Sequence, residues 1–453
     1  MERVDVAIVG GGPAGSSAAW EAAKAGADAV VIEKGVPRDD RDRLGPDSTD
    51  AAGMLDYWVD LMDLPVEFPE SVKLARLDGT EFIGPNESTT LHSTGIESDY
   101  PDFGFAFHRA KFDDWLRDHA EDAGAEYRVG TSVTDVATSL KHGPSHTLTL
   151  AGGDQMEADA LILADGPQRT ITTDTLDQFM PDGHSVTEYL ASNQANHIAY
   201  QEHRRMPEEL FDPHYLKFWW GVMPGHTAYP WIFPNDAPVA RIGLTMPIGM
   251  DIDDVRNRDD YALLRPDDEQ IPPGRVYVRR LLEREFPEYD VDEDFPLVED
   301  RGKRGGTEAY PISSTRPIES PTKAGIAVVG GAMGATSAFH EGGDHVAVRT
   351  GRIAGKLAAT DSLERYNDEW HRAVGGEVRR NVALAETVRG YQPADWDETF
   401  RVADTMLNHG SYDFGSALSA GVAGVSHYLK YKRTKFGFRG DRYLQLREDD
   451  YAL

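Results

Sequence analysis

The sequence predicts an α/β fold: a parallel-stranded unit carries an inserted antiparallel sheet and is followed by a helical C-terminal region. Three observations carry this expectation. Residues 4–9, a glycine-rich turn at 10–15, an alanine-rich stretch to Gly26 and a second apolar run ending in Ile32, Glu33 and Lys34 read as strand, turn, helix, strand and acid. A later apolar run, 324–329, meets a second glycine-rich turn and then a helical pattern over 344–359. Between them, residues 195–247 show alternating and aromatic patterns around Phe218, Trp219, Trp220, Tyr229 and Trp231, as an antiparallel sheet does.

Each part of the opening segment has a physical job. Gly10 lets the chain turn sharply off the strand, Gly12 lets the backbone approach a pyrophosphate, and Gly15 lets the helix pack tightly on the sheet. The helix that starts at Pro13 and Ala14 presents free N–H groups and a positive dipole end to that diphosphate. Glu33 ends the second strand, where a carboxylate can accept both ribose hydroxyls of an adenosine, and Lys34 follows it. The acid lies at the expected distance of roughly 20 residues from the turn, so the segment predicts a dinucleotide site.

The chain has 453 residues, enough for two or three joined domains with a large buried core. Its formal net charge is −31, from 47 Asp and 30 Glu against 12 Lys and 34 Arg. That balance is expected of a protein working in molar salt, where the Debye length falls to about 3 Å and an acidic surface keeps its hydration. The same charge argues against nucleic acid as a partner. With no cysteine, disulfides, cysteine-ligated zinc, iron–sulfur clusters and a cysteinyl-flavin bond are excluded. No signal peptide and no strongly apolar run of about 18 residues is evident, so a cytoplasmic protein is expected, with peripheral contact at the inner face of the membrane as an extension considered below.

Along the chain, 37–50 reads as a polar loop and 51–62 as an amphipathic helix. Residues 66–108 read as short strands and turns, and 111–124 as a helix with Phe112, Trp115 and Leu116 on one face. Strands are expected at 127–136, 145–150 and 158–164, the last ending at Asp165-Gly166. Residues 251–300 are very acidic and read as a surface helical excursion, and 361–453 as mostly helical. The expected division is 1–65, 105–190 and 305–360 for the dinucleotide-binding domain, 66–104 and 191–304 for the substrate domain, and 361–453 for the helical C-terminal region.

The second glycine-rich segment runs Gly330-Gly331-Ala332-Met333-Gly334 and is followed by Phe339-His340-Glu341-Gly342-Gly343-Asp344-His345. The helix after Gly342 and Gly343 carries Ala347, Gly351, Ala354 and Gly355, small residues that let it pack closely on other backbone. Its N-terminus suits the N1–C2=O edge of a flavin, which gains negative charge on reduction. A dinucleotide-binding start, an Asp-Gly after a mid-chain strand and this late turn, in that order, point to FAD rather than NAD. His340 and His345 flank the glycine pair as candidate proton donors or hydrogen-bond partners of the flavin.

With these segments the chain resembles the FAD-dependent oxidoreductases of the geranylgeranyl reductase type, which share an architecture with aromatic hydroxylases and with quinone-reducing flavoproteins. The resemblance covers roughly residues 1–360. It rests on Gly10-x-Gly12-Pro13-Ala14-Gly15 with Glu33-Lys34, on Arg109-x-x-Phe112-Asp113-x-x-Leu116, on Ala164-Asp165-Gly166, on the late turn with Glu341-Gly342, and on Tyr229-Pro230-Trp231-Ile232-Phe233-Pro234 with Gly243 further on. It implies a Rossmann-like FAD-binding domain of the aromatic hydroxylase and glutathione reductase type, with Arg109 near FAD. It also implies an aromatic wall of Tyr229, Trp231, Phe233 and Pro234, extended by Trp220, along a hydrophobic channel at the flavin face. A polyprenyl chain offers no hydrogen bonds, so shape and aromatic contact must fix it. The family's late motif usually reads Gly-Asp; here the matching position is Gly331, and the carboxylate contact is missing. Several family members also place a cysteine after the first βαβ unit, which this chain lacks.

The expected function is reduction of C=C bonds in geranylgeranyl or other isoprenoid chains of membrane lipids or their precursors. Electrons would come from a ferredoxin or from NAD(P)H, since only one dinucleotide fingerprint is present. An electron carrier to quinone, a flavin monooxygenase or halogenase, and a flavin-less binding protein remain as alternatives. Residues 414–429 are apolar and small, and Lys430, Lys432, Arg433, Lys435, Arg439 and Arg442 follow among Tyr431, Phe436 and Phe438. Segment 414–442 can therefore lie on an anionic lipid surface or grip a phosphate headgroup.

Overall fold

The computed structural model describes residues 2–37, 53–190, 197–302, 304–312, 316–408 and 421–453. The chain opens with β1 (Glu2–Val9), α1 (Pro13–Lys24) and β2 (Ala29–Glu33), then β3 (Met54–Leu55), α2 (Asp56–Met62), β4 (Lys73–Leu77), β5 (Gly79–Ile83), β6 (Ser88–Leu91), β7 (Gly104–Phe107) and α3 (Arg109–Asp122). It continues through β8 (Glu126–Val129), β9 (Val133–Ser139), β10 (Ser145–Leu150), β11 (Gln155–Leu163) and α4 (Thr170–Asp177). The second half contains β12 (His197–Arg205), β13 (Tyr215–Trp219), β14 (Tyr229–Pro234), β15 (Val239–Pro247), α5 (Gly274–Glu285), β16 (Thr307–Ile312), β17 (Ile326–Val328) and α6 (Asp344–Ala359). It closes with α7 (Tyr366–Trp370), α8 (Gly376–Val388), α9 (Pro393–Asn408) and α10 (Gly421–Gly437).

The first sheet has the order β8-β2-β1-β11-β10-β9. β1 pairs in parallel with β2 and β11, and β2 with β8. β11 changes neighbour along its length: residues 155–158 pair antiparallel with β10, and residues 161–163 pair in parallel with β17. The inner ends of β1, β2, β11 and β17 are buried on both sides, so they read as unbroken apolar runs. Helices α1 and α6 cover one face of this sheet and touch backbone to backbone. A Cβ on Gly351 would lie 2.0 Å from the Ala14 carbonyl oxygen, and one on Gly355 2.0 Å from that of Ala18.

The second sheet has the order β16-β12-β15-β14-β13-β5-β6, antiparallel except where β13 meets β5. The alternation in β14 divides its side chains. Ile232 joins Ile242 and Leu244 of β15 against the buried face of α5, Tyr277, Val278, Leu281 and Leu282. Tyr229, Trp231 and Phe233 face the other way, toward Trp220 and toward Trp396 and Phe400 of α9. Gly243 lies opposite Trp231 in the register, and a Cβ there would come 2.8 Å from the indole. The glycine thus lets the ring lie flat across the neighbouring strand.

Several sequence expectations are corrected. The region 127–136 is two strands, β8 and β9, broken at Gly130, whose φ is +65°. The helix expected over 51–62 is a short strand followed by α2 within the described residues. Segment 251–300 is not wholly a surface excursion: α5 seals one face of the second sheet, and the acids around it stay outside. Most of the loop 37–50, the start of the 51–62 helix and residues 414–420 of the apolar C-terminal stretch lie outside the described residues.

Candidate active site

The first βαβ unit forms the expected cradle. Gly10 has φ +101°, and a Cβ on it would meet the Ala164 carbonyl oxygen at 2.5 Å. A Cβ on Gly15 would lie 1.8 Å from the Gly10 carbonyl oxygen, so the turn folds back onto the first turn of α1. Gly12 is the N-cap of α1, with Pro13 at the first helical position and no side-chain cap. Nothing lies within 4 Å of where a Gly12 Cβ would be, so the free amides of the first turn face open space. Glu33 closes the far side: its carboxylate accepts from the Gly11 amide at 2.6 Å and from the Gly35 amide at 2.5 Å. Lys34 is exposed beside it. An open space bounded by a helix N-terminus at one end and a fixed carboxylate at the other fits a ribose followed by a diphosphate.

Asp165 and Gly166 border the same space from the end of β11. Gly166 has φ +74° and nothing within 4 Å of its absent Cβ. Asp165 serves the fold: it accepts from the amides of Ile171 and Thr172 at 2.9 and 3.1 Å and from the Thr172 hydroxyl at 2.5 Å, capping α4. Burial pushes its carboxyl up, and these bonds oppose that shift. The sequence reading missed Arg169, which is buried in the left-handed region at φ +53° and donates to the carbonyls of Ala332 at 3.0 Å and Gly331 at 3.3 Å. It ties the Asp-Gly loop to the late glycine turn. No periodicity marks such an arginine, because its partners lie over 160 residues away. Gly331 itself is not sterically required: a Cβ there would make ordinary contact with Pro167 at 3.4 Å.

The late turn ends at Gly343, the uncapped start of α6, preceded by Gly342. Arg109 bridges two helix starts, with Nε 2.7 Å from Asp113 on α3 and Nη1 3.0 Å from Asp344 on α6. His345 packs flat on Trp58, ring centres 4.4 Å apart, and lies 2.5 Å from Glu377 through Nε2. Burial alone would raise Glu377, but the hydrogen bond from His345 and the nearby Arg349 and Arg380 leave it at about 2. His340 lies beside this pair, 5.8 Å from Trp58 and 6.3 Å from His345, and burial lowers it to about 4.

The inserted sheet meets this turn through its aromatic face. The Tyr229 hydroxyl donates to the His340 carbonyl at 2.7 Å. Trp220 stacks on Tyr229 at 4.4 Å and on Phe339 at 5.4 Å, and Trp231 lies parallel to Phe233 at 5.3 Å. Pro234 ends the row, its carbonyl accepting from Arg241 at 3.1 Å. The indole N–H groups of Trp220 and Trp231 are buried without a hydrogen-bond partner among the described residues.

Buried titratable groups give the protein a pH signature. Burial lowers His146, His197 and His340 to about 4 from 6.5 and raises Glu341 to about 8 from 4.5. The unfolded chain binds the histidine protons more readily, so those three add stability as pH rises from about 4 to 6.5. Glu341 holds its proton more tightly when folded, and so does Asp113, which burial raises to about 7 from 3.8, so their contributions are lost as pH rises through about 7 and 8. Thermal midpoints of the ligand-free protein are therefore expected to climb up to about pH 6.5 and to decline toward pH 8. A midpoint that keeps rising from pH 6.5 to 8 would contradict this.

This fold, with a nucleotide cradle facing a second glycine turn, defines an FAD-dependent oxidoreductase, and FAD is its cofactor. Residues 5–59 match the family model described as FAD dependent oxidoreductase. The chain is similar to digeranylgeranylglycerophospholipid reductase of Methanosarcina acetivorans, with 26% identity over 420 residues, 89% of this chain and 88% of the relative. It is also 27% identical over 425 residues to a menaquinone reductase of Mycolicibacterium smegmatis, 89% of this chain and 90% of that protein. Among solved structures, a geranylgeranyl bacteriochlorophyll reductase-like protein from Thermoplasma acidophilum shares the fold with a TM-score of 0.70 at 19% identity, covering 96% of this chain and 100% of that one.

Proposed function

We propose that the protein saturates C=C bonds in geranylgeranyl or related isoprenoid chains of membrane lipids or their precursors. The observation that carries this reading is the apolar aromatic face of β14, joined to the late glycine turn through Tyr229 and Trp220. The similarity to the M. acetivorans reductase along nearly the whole chain supports the same reading. Gly10, Gly12, Pro13, Ala14 and Gly15 would hold the diphosphate, with Glu33 and Lys34 at the ribose. Asp165, Gly166 and Gly331 would border the middle of the cofactor, and Gly342 and Gly343 its flavin edge. Arg109 would fix the α6 N-terminus beside it. When bound and reduced, FAD supplies a hydride, that is, two electrons with one proton. The chain's own part is to align an alkene by contact with Tyr229, Trp231, Phe233, Pro234 and Trp220 and to keep water out. The proposed division into domains follows the sequence reading, except that residues 307–312 go with the substrate sheet because they pair with β12.

The test is direct. Purified protein should be yellow, and after anaerobic reduction it should be reoxidised by a geranylgeranyl lipid, with a mass gain of two hydrogens per bond. A reduced flavin that ignores the lipid would sink the proposal. The electron donor is proposed to be a ferredoxin or NAD(P)H, distinguished by which of the two reduces the flavin. A prenylated quinone is the second substrate class. The similarity to a menaquinone reductase and the two unpartnered indole N–H groups in an otherwise apolar wall favour it, since a quinone carbonyl would accept from them.

We further propose that α10 touches an anionic membrane surface. No helix among the described residues is long and apolar enough to cross a membrane. On α10, Leu429, Lys432, Arg433 and Phe436 share one face by helical spacing, and Leu429 and Phe436 are exposed. Alanine at Lys432, Arg433 and Lys435 is expected to reduce sedimentation with anionic vesicles severalfold. Unchanged sedimentation at working salt would remove this surface from consideration.

A further inference from the structure

Glu341 lies between the late turn and α6, directly before Gly342 and Gly343. Its backbone has φ +60°, a region where a non-glycine residue is held only by its surroundings. Its side chain leaves the loop and enters the inserted sheet, where it is 2% exposed. One carboxyl oxygen, Oε2, accepts from the Thr245 hydroxyl on β15. The other, Oε1, lies 3.3 Å from His197 Nε2 on β12. His197 Nε2 is 3.2 Å from the Thr227 hydroxyl and 3.3 Å from the His226 carbonyl, and the two histidine rings are 5.4 Å apart. His226 is only half-buried and its backbone carbonyl accepts from the Thr227 hydroxyl at 2.7 Å, so the row runs from a sealed carboxyl to a backbone turn at a half-buried residue.

The charge surroundings leave this row neutral. The groups facing Glu341 are His197, the Thr245 and Thr227 hydroxyls and the Tyr229 phenol, with His340 next to it in the chain. No lysine or arginine forms an ion pair with it among the described residues; Arg389 and Glu386 act on His226, at the outer end. Burial holds the Glu341 proton to about 8, opposed by the two threonine hydroxyls, and burial keeps His197 unprotonated above about 4.

Saturating a double bond needs a proton beyond the hydride that FAD supplies, and the one hydroxyl of the aromatic wall, that of Tyr229, is committed to the His340 carbonyl and held protonated by burial. We propose that Glu341 is the proton store of this site, refilled through His197 and the Thr227 hydroxyl from the half-buried side of the row at His226. This rests on the isoprenoid reductase reading. In the step, the Glu341 O–H bond breaks and a C–H bond forms at the second alkene carbon, which takes the proton with the π electron pair. The carboxylate left behind regains a proton along the row, so one solvent proton is consumed per bond reduced.

The experiment compares wild type with Glu341→Gln, which keeps size and an acceptor for Thr245 but cannot release a proton. Infrared titration of the substrate-free protein should show a protonated-carboxyl C=O band that persists past neutral pH in wild type and is missing in the variant. The variant should retain FAD and accept electrons at the wild-type rate, while product formation falls by about 100-fold or more. Should the variant fail to fold, Thr245→Val should shift the band's transition to higher pH, because a bond favouring the carboxylate is lost. Wild-type turnover by Glu341→Gln, or a Glu341 carboxyl already ionised at pH 7, would overturn the proposal. If wild type itself leaves the lipid unreduced, the donor role falls with the reductase reading, and the infrared band alone decides whether Glu341 stores a proton.

Discussion

Alanine at Gly15 is expected to abolish FAD retention and to destabilise the protein by about 3 kcal/mol or more, the upper range for overpacking a rigid site. The added Cβ would sit 1.8 Å from the Gly10 carbonyl oxygen and 3.0 Å from its carbon, both backbone atoms. No rotamer change relieves such a clash. Relief requires α1 to lift away from β1, and α1 is also pinned from outside by Gly351 and Gly355 of α6. Gly12→Ala is the matched control. Nothing lies within 4 Å of that Cβ, so the ligand-free protein should melt as wild type does, yet FAD should bind weakly because the methyl occupies the diphosphate space. Thermal melts and visible flavin absorbance of the two variants read these effects separately. Equal melting of Gly15→Ala and wild type would refute the account of the turn.

Removal of the Trp220 side chain should cost about 3–5 kcal/mol, the usual range for emptying a buried tryptophan site. The indole is 3% exposed and packs on three separate elements, stacking on Tyr229 of β14 at 4.4 Å and Phe339 of the late loop at 5.4 Å and lying tilted against Trp396 of α9 at 4.7 Å. Trp220→Ala therefore loosens the wall, the loop before the glycine pair and the C-terminal helices together. Urea unfolding should show the loss. Turnover on a long isoprenoid should suffer more than electron uptake, because the first βαβ unit does not touch this residue. Trp220→Phe keeps part of each stack and should recover most of the stability. An alanine variant with wild-type stability and wild-type turnover would show that the wall is not anchored here.

How much of this was legible in the sequence depends on the range of each signal. Gly10, Gly12 and Gly15 were readable because the turn they build is local: spacing and φ demands are written within six residues. The alternation of Tyr229, Trp231 and Phe233 was equally local, and so was the helix over Asp344–Ala359. Arg109, Asp165 and Glu33 were legible as positions but not as contacts. Arg109 spends its guanidinium on Asp113 and Asp344, and Asp165 its carboxylate on α4. The α5 helix is hidden in the sequence because the segment around it, 251–300, is so acidic that it reads as surface, although Tyr277, Val278, Leu281 and Leu282 all fall on one buried face.

The sequence by itself determined the strand–turn–helix cradle, the order of the glycine turns, the aromatic strand and hence the class of chemistry, because each is a property of neighbours along the chain. Only the tertiary structure decided that Arg169 would clamp Gly331 and Ala332, that Gly243 would lie under Trp231, and that Glu341 would be sealed beside His197. The reason is physical. A side chain's charge state and partners follow from what is packed around it, and here that packing comes from strands and loops up to about 160 residues apart.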